Sequence, residues 1–445
     1  MMSYGAPTHR LEEILRATSH ALKIEGQFLY LPSYMFCSFD DTATHTSETR
    51  IVRQTVTELN LQKLDRTYKL FKKIINSDMY IEDATKGLEE ILQDKPLYPT
   101  WLLILLYGVA TAAIGPVAFE AGLKDIPVAA CLGIMLGVLQ LLIVPLCEPF
   151  GNVFETIVCI IATIIARALG SIDGGKHFCF SALAQSAIVL ILPGYMILCS
   201  ALELQTRNMV TGSVRMVYAI IYSLFLGFGF TIGSTIYGLI DKNNATSAVT
   251  CTVNQLPKWA NFIGVPIFVA ALMFINHASL KQIPVGVFIG TAGYAAQYFV
   301  GLVTSSSPQL ASAVGAFVLG LLGNMYSRFL GGLAFSAMLP GVFVQVPGSL
   351  AARGSIVSGV RIADELVHGN KSLAGWSNKP AATAPTGNGF SDATPGEEVL
   401  FHMNAWKMAF GMVQIAVAIT VGLFLASLVV YPRGRKGKKG SFLGF

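Results

Sequence analysis

The sequence predicts a mainly α-helical fold: a polytopic membrane bundle of ten helices in two five-helix repeats, inverted in topology, behind a small N-terminal α+β soluble domain. Three observations lead there. Only 13% of the 445 residues are charged against 53% hydrophobic, with a mean hydropathy of +0.58, whereas a soluble domain carries about 25% charged residues. Ten windows after Pro99 approach the ~20 apolar residues that a helical span needs. The tripeptide Leu-Pro-Gly occurs twice, at 192–194 and 339–341, at corresponding places in the two halves.

Residues 1–99 are soluble in character. Leu11, Ile14, Leu15, Thr18 and Leu22 keep helical spacing between charges. "QFLYLPSYMFCSF" and "TRIVRQTV" are rich in aromatic and β-branched residues and predict strands. Leu61, Leu64, Tyr68, Phe71 and Ile75 predict a second amphipathic helix, and Ala84, Leu88, Ile91 and Leu92 a third. The start, "MMSYGAPTHRLEEILR", is charged and has no apolar core, so no cleavable signal peptide is expected; it abuts what reads as the interior of a unit.

The first repeat is expected over 100–241, a loop over 242–259, and the second repeat over 260–432. The spans fall near 101–119, 127–144, 154–170, 178–201, 212–240, 260–276, 283–303, 309–327, 329–352 and 402–431. A flexible loop rich in Pro, Thr, Gly, Asn and Ser covers 368–398, and a basic tail, "RGRKGKK", opens 433–445. Gly212-Ser213-Val214-Arg215 after the first Leu-Pro-Gly has a counterpart in Ser358-Gly359-Val360-Arg361 after the second, in the same order and at nearly the same offset. Five spans per repeat is odd, so the second copy enters from the other side, the arrangement of many secondary transporters. The sequons at Asn244 and Asn370 lie in loops on one side of a ten-span layout, and the basic tail lies on the other. Both termini are therefore expected in the cytoplasm, of either the plasma membrane or an endomembrane.

A proline inside a helix removes a backbone bond and clashes with the preceding turn. In a bilayer such a break needs a protein or aqueous neighbour. Freed amides and carbonyls there suit a small polar or zwitterionic solute. Pro193, Gly194, Pro340 and Gly341 are thus candidate solute-site residues. Gln185, Ser200, Gln345 and Ser349 would add amide and hydroxyl contacts, and Arg215 or Arg361 would meet a carboxylate. Glu203, Arg207 and Arg215 also fit an interfacial position. Glu148 and Glu155, seven apart, are candidates to carry a coupled proton. Gly133/Gly137 and Gly229/Gly233 read as helix-packing pairs.

The seven cysteines show no CxxC spacing and read as small buried hydrophobes. His177 and His277 lack ligand-spaced partners, so no metal site is expected. No Walker A motif, nucleophile elbow or catalytic set is present, so the chain is not read as an enzyme and calls for no cofactor. The basic tail is too short, and too poor in aromatics, for nucleic acid. The expected partners are a small solute, protons and the lipid bilayer; glycine-rich helix faces permit self-association.

"YGAPTHRLEEILRAT", "GQFLYLPSYMFCSFDD", "FCFSALAQSAIVLILPGYMILCSALELQTRNMVTGSVRMVYAIIYSLFLGFG" (178–229) and "SAMLPGVFVQVPGS" closely resemble the fungal pheromone-regulated membrane protein group of the threonine/serine exporter family. The resemblance covers nearly the whole chain. It implies a soluble domain before ten helices and proton-driven export of threonine and serine, an activity that belongs to the bacterial branch. Related fungal proteins carry a long polar N-terminal extension that is absent here. A membrane scaffold or receptor in mating or cell fusion is the alternative.

Overall fold

The soluble segment folds as its patterns require. The computed structural model describes residues 1–345 (except 33, 42–43, 54–58, 77–78, 147, 152, 173–176, 242–244, 247, 249–250, 252–255 and 305–306), together with 356–357, 360 and 395–432. Helix α1 (Thr8–Ala21) leads into an antiparallel meander of β1 (Glu25–Leu31), β2 (Tyr34–Asp41) and β3 (Thr46–Arg53). Tyr30 pairs with Met35 and Phe28 with Cys37 across the first hairpin. Phe28 and Tyr30 alternate inward, as a half-buried strand must, and meet Leu11, Met35 and Cys37. β3 is exposed along its length.

Asn60 caps α2 (Leu61–Ile75) by accepting from the Lys63 amide. The predicted stripe of Leu61, Leu64, Tyr68, Phe71 and Ile75 is buried. Its partners are unexpected. The stripe shares one cluster with Met273, Ala278, Leu333, Phe335 and Leu339, so the domain sits on the membrane body through its own hydrophobic face. Helix α3 (Ile81–Gln93) buries only Ala84 and Ile91 of the four positions expected, and Leu92 is 64% exposed.

Then come α4 (Thr100–Phe119), α5 (Asp125–Val138, extended by a π turn and a 3-10 turn to Leu146), α6 (Phe154–Ser171), α7 (Phe180–Ala187), α8 (Gly194–Gln205) and α9 (Met209–Ile240). The second half holds α10 (Asn261–Ile275), α11 (Ile283–Val303), α12 (Pro308–Leu330), α13 (Ala334–Gln345) and α14 (Pro395–Val430). Among the described residues, eight helices are long and apolar enough to cross a membrane, nine if α7 and α8 count as one bent span. The span expected over 329–352 takes the form of α13, of only 12 residues, about 18 Å long at 1.5 Å per residue. Residues 346–355, on which its length depended, lie outside the described residues, as does the loop 368–394.

Neighbouring helices follow one pattern in both halves. In the first, α4 packs on α5, α6 on α9, and α7 against α4, α5 and α6. In the second, α10 packs on α11, α12 on α14, and α13 against α10, α11 and α12. The halves meet through α4 on α10 and α8 on α14. Gly229 and Gly233 let α9 approach α6 closely: a Cβ on Gly233 would stand 2.7 Å from the Ile160 carbonyl oxygen.

The two ends of the bundle differ. The soluble domain bonds three inter-helix corners at one end. The Leu61 and Gln62 amides donate to the carbonyls of Asn276 and His277, the Leu333 amide donates to Asp65 Oδ1 at 3.1 Å, and Thr211 donates to the Tyr30 carbonyl. At the far end of α9, Cys179 and Cys251 form a disulfide, with Cα atoms 5.6 Å apart. This corrects the reading of both as buried hydrophobes. Two cysteines 72 residues apart show no spacing signature, and only the return of the chain after α9 brings them together. Beside them the Cys179 amide donates to Asp125 Oδ1, and Arg167, 1% exposed, donates to the Thr246 and Ser234 carbonyls. Cys179→Ser should cost about 2–4 kcal/mol, read as a lower thermal midpoint in detergent, and reduction should bring the wild type down to the same value. An unchanged midpoint would show that the bridge contributes nothing.

Candidate functional site

The break at Pro193 has a local cause. A residue before proline is pushed out of the helical region, and Leu192 is extended at φ −63°, ψ 137°. Pro193 then caps the new helix α8, where its missing N–H costs nothing. The Val189 carbonyl, which a residue-193 amide would have bonded, instead accepts from the Leu192 amide at 3.4 Å, inside a 3-10 turn over Val189–Ile191. A second irregularity lies one turn earlier, at Ile188 (φ −107°, ψ 4°), where the arm Val189–Gln205 leaves Phe180–Ala187 at 46°.

The second Leu-Pro-Gly behaves differently. Helix α13 runs through Pro340 without unwinding, which corrects the expectation of two broken helices. Packing holds it. Gly341 lies against α11, where a Cβ would stand 2.7 Å from the Gly290 Cα, and against Leu319 of α12. Neighbouring helices commonly stabilise a proline-bearing span in this way. In α13 the glycine permits a close crossing and opens no backbone.

The two motifs nevertheless meet. Tyr195, two residues after Pro193, stacks on Phe343, three after Pro340, with ring centroids 5.2 Å apart and planes 19° from parallel. Leu198 and Leu202 of α8 share a cluster with Ala334, Ala337, Met338 and Val342 of α13. A cavity of about 50 Å³ lies at the bend, lined by Ile114, Phe119, Leu192, Gly194, Tyr195 and Phe343 among others. That is room for a few waters.

Gln185 is buried, and its Nε2 donates to the Ser181 carbonyl and hydroxyl at 3.0 and 2.8 Å, while its Oε1 has no partner among the described residues. Ser200 is fully buried, but its hydroxyl is spent on the Ile197 carbonyl and the Met216 sulfur. Gln345 is 3% exposed, with neither amide atom partnered among the described residues, and it faces Gly293 and Gly315. Arg215 pairs with Glu203 at 2.6 Å. Glu155 is half-buried and interacts with the Tyr222 hydroxyl. Ser349, Arg361, Asn244, Asn370 and the Glu148 side chain lie outside the described residues.

The sequence reading missed Tyr195, Phe343 and Cys199. A signal existed for two of them: Tyr195, Cys199 and Glu203 recur at every fourth position, one face of a helix. Phe343 carries no such mark.

Fold and site define a multi-pass membrane protein whose bent helix meets a proline-bearing helix of the other half beneath a docked α+β domain. The chain belongs to the threonine/serine exporter family: a family model described as a threonine/serine exporter matches residues 1–237, and a companion model of the same description matches 261–429. Proteins named pheromone-regulated membrane protein 10 are similar over nearly all of the chain. That of Yarrowia lipolytica is 42% identical, covering 98% of this chain and 37% of its own length. That of Candida albicans is 43% identical over 98% and 38%, and that of Saccharomyces cerevisiae 41% over 99% and 54%. The chain thus spans between about a third and a little over half of these relatives. No solved structure matches.

If the stacked pair holds the halves together, Phe343→Ala should cost about 3 kcal/mol, seen as a lower unfolding midpoint in detergent, while Phe343→Tyr should cost little. Equal midpoints for the wild type and Phe343→Ala would remove the pair from the account.

Proposed function

We propose that the chain is a secondary transporter that exports small polar amino acids of the threonine/serine kind by antiport with protons. The observation that carries this reading is the broken span Phe180–Gln205, bent at Ile188 and interrupted again at Pro193, set against α13 of the other half around a small cavity. Bent helices at the junction of two halves are where transporters of this type place their solute. In this reading the solute meets the main chain at Leu192–Gly194, with Gln185 and Gln345 as the amides able to follow it. Both are buried and carry unspent hydrogen-bonding atoms, and such atoms are rarely left idle in a folded protein.

The matching neighbour patterns of the two halves support a five-plus-five repeat, which an odd number of spans per copy would make inverted, with α13 in the place of the ninth span. Alternating access would then be a rocking of one half against the other. The disulfide supports placing its end of the bundle in an oxidising compartment. The soluble domain and the basic tail then share the cytoplasm, with Asn244 and Asn370 on the disulfide side. Glu155 is the described carboxylate that the sequence nominates for the proton. The relatives are named for pheromone regulation, and we extend to this chain only the expectation of comparable control.

The test is counterflow of labelled threonine, serine and a panel of other amino and dicarboxylic acids into proteoliposomes of the full chain. Pro193→Ala, which lets the amide of residue 193 rejoin the helix, should lower threonine counterflow about tenfold or more. Pro340→Ala should lower it less, since α13 does not unwind there. Wild-type rates for Pro193→Ala would refute the bend as the site.

A further inference from the structure

Helix α4 separates two spaces. On its inner face Ile114 and Ala118, with Phe268 of α10, line the cavity at the bend. On its outer face lies a larger cavity of about 690 Å³. α4 is the floor of this groove, α5 forms one wall through Ile126 and Ile134, and α10 forms the other through Ile263 and Ile267. Val109 on the floor and Ile263 and Ile267 on the wall are exposed, so the groove faces outward. All three helices belong to apolar spans, and outward here means into hydrocarbon. The groove also crosses a seam between the halves, because α4 belongs to the first and α10 to the second.

The floor is smooth. Ala112 and Ala113 present only methyls, and glycines draw in both neighbours: a Cβ on Gly108 would stand 2.8 Å from the Ala130 carbonyl oxygen of α5, and one on Gly264 2.8 Å from that of Ala113. From Leu105 to Pro116 the floor runs about 17 Å at 1.5 Å per residue, roughly half of the ~30 Å hydrocarbon core. Dividing 690 Å³ by that length leaves a mean cross-section of about 40 Å². A helix 10–12 Å across takes about twice that area, so a span of a second chain does not fit. Water finds too few polar partners there to settle. What fits is one lipid molecule the depth of a single leaflet. A flat, rigid ring system touches floor and both walls together and has few internal rotations to lose; a flexible acyl chain loses many.

The polar features lie toward the disulfide end. Trp259, 66% exposed, stands just before α10 and lines the groove, an aromatic at interface depth with an indole N–H to donate. Pro116, also on the groove, has no amide to offer the Ala112 carbonyl one turn back. A donor and an acceptor toward one end of an apolar slot suit a molecule with one terminal hydroxyl.

We propose that this groove binds one membrane sterol, its rings flat on the glycine–alanine floor and its hydroxyl toward Trp259. The bound sterol touches α4 and α10 together. It therefore favours the present placement of the two halves over any in which the groove is narrower, and it backs the two helices whose inner faces line the cavity.

The test uses the full chain in phosphatidylcholine vesicles with a cholesterol analogue that bears a photoreactive diazirine. Cross-linking should saturate, map to α4, α5 and α10, and fall about tenfold or more under excess unlabelled cholesterol. Ala112→Phe, which fills the floor, should lower it by a similar factor, while Leu224→Phe, on the exposed outer face of α9, should leave it unchanged. Cholesterol should also raise the thermal midpoint of the wild type and not that of Ala112→Phe. If Ala112→Phe proves unfolded, the wild-type map decides alone. Labelling that does not saturate, or that spreads evenly over other lipid-facing helices, overturns the proposal. So does an equal rise in both midpoints, which would be an effect of sterol on the bilayer. A phosphatidylcholine with the diazirine in its acyl chain provides the last arm: if it labels the groove and excess cholesterol does not displace it, the occupant is an acyl chain and the sterol site is refuted.

Discussion

A backbone without water to bond sets the terms for this molecule. Within a bilayer each main-chain amide and carbonyl needs a protein partner, and Pro193 withdraws one amide from the middle of an apolar helix. The chain answers with a 3-10 turn over Val189–Ile191, in which the Ile191 amide donates to the Ile188 carbonyl and the Leu192 amide takes up the stranded carbonyl of Val189. The span is also redirected, since the arm Val189–Gln205, which contains the turn and α8, stands at 46° to α7. The contacts of α8 follow from the new direction. Tyr195 reaches Phe343, Leu198 and Leu202 enter the core of the second half, and Glu203 is carried to the underside of the soluble domain.

The soluble domain is joined to the membrane body by an apolar face and a set of polar contacts. The apolar face of α2, met within the domain by Tyr4, Ile14 and Ile91, is completed by Met273, Leu333, Phe335 and Leu339, so a cut at the boundary near residue 99 would expose part of that face. Polar contacts fix the register. Asp65 accepts from the Leu333 amide, Tyr98 donates to the Ala278 carbonyl, and Thr8 donates to Glu203. Each membrane partner in these contacts lies at a helix end or inter-helix corner on one side of the bundle, so a shift in any of those helices is transmitted to the domain.

The paired Leu-Pro-Gly segments show how one local rule gives two outcomes. Both prolines forbid the same hydrogen bond. Pro193 is preceded by an extended Leu192 and starts a helix; Pro340 is carried through a helix that α11 and α12 grip at Gly341. If the halves are copies, they have divided the work: one bends, and the other supplies a straight wall for the bend to face.

By itself the sequence determined what depends on composition and period. The apolar spans, the buried stripe of α2, the alternation of Phe28 and Tyr30 and the packing role of Gly229 and Gly233 are properties of short windows, in which a side chain's neighbours lie one turn or one strand away. The break at Pro193 belongs there too, because the clash that causes it is with the adjoining residue. Only the tertiary structure decided what depends on distant chain. It determined that Pro340 stays helical, that Cys179 finds Cys251, that Tyr195 meets Phe343, and that Arg215 is engaged by Glu203. The physical reason is common to all four. Packing and charge pairing act between surfaces that the fold must first bring together, and nothing in the local order of residues records which surfaces those will be.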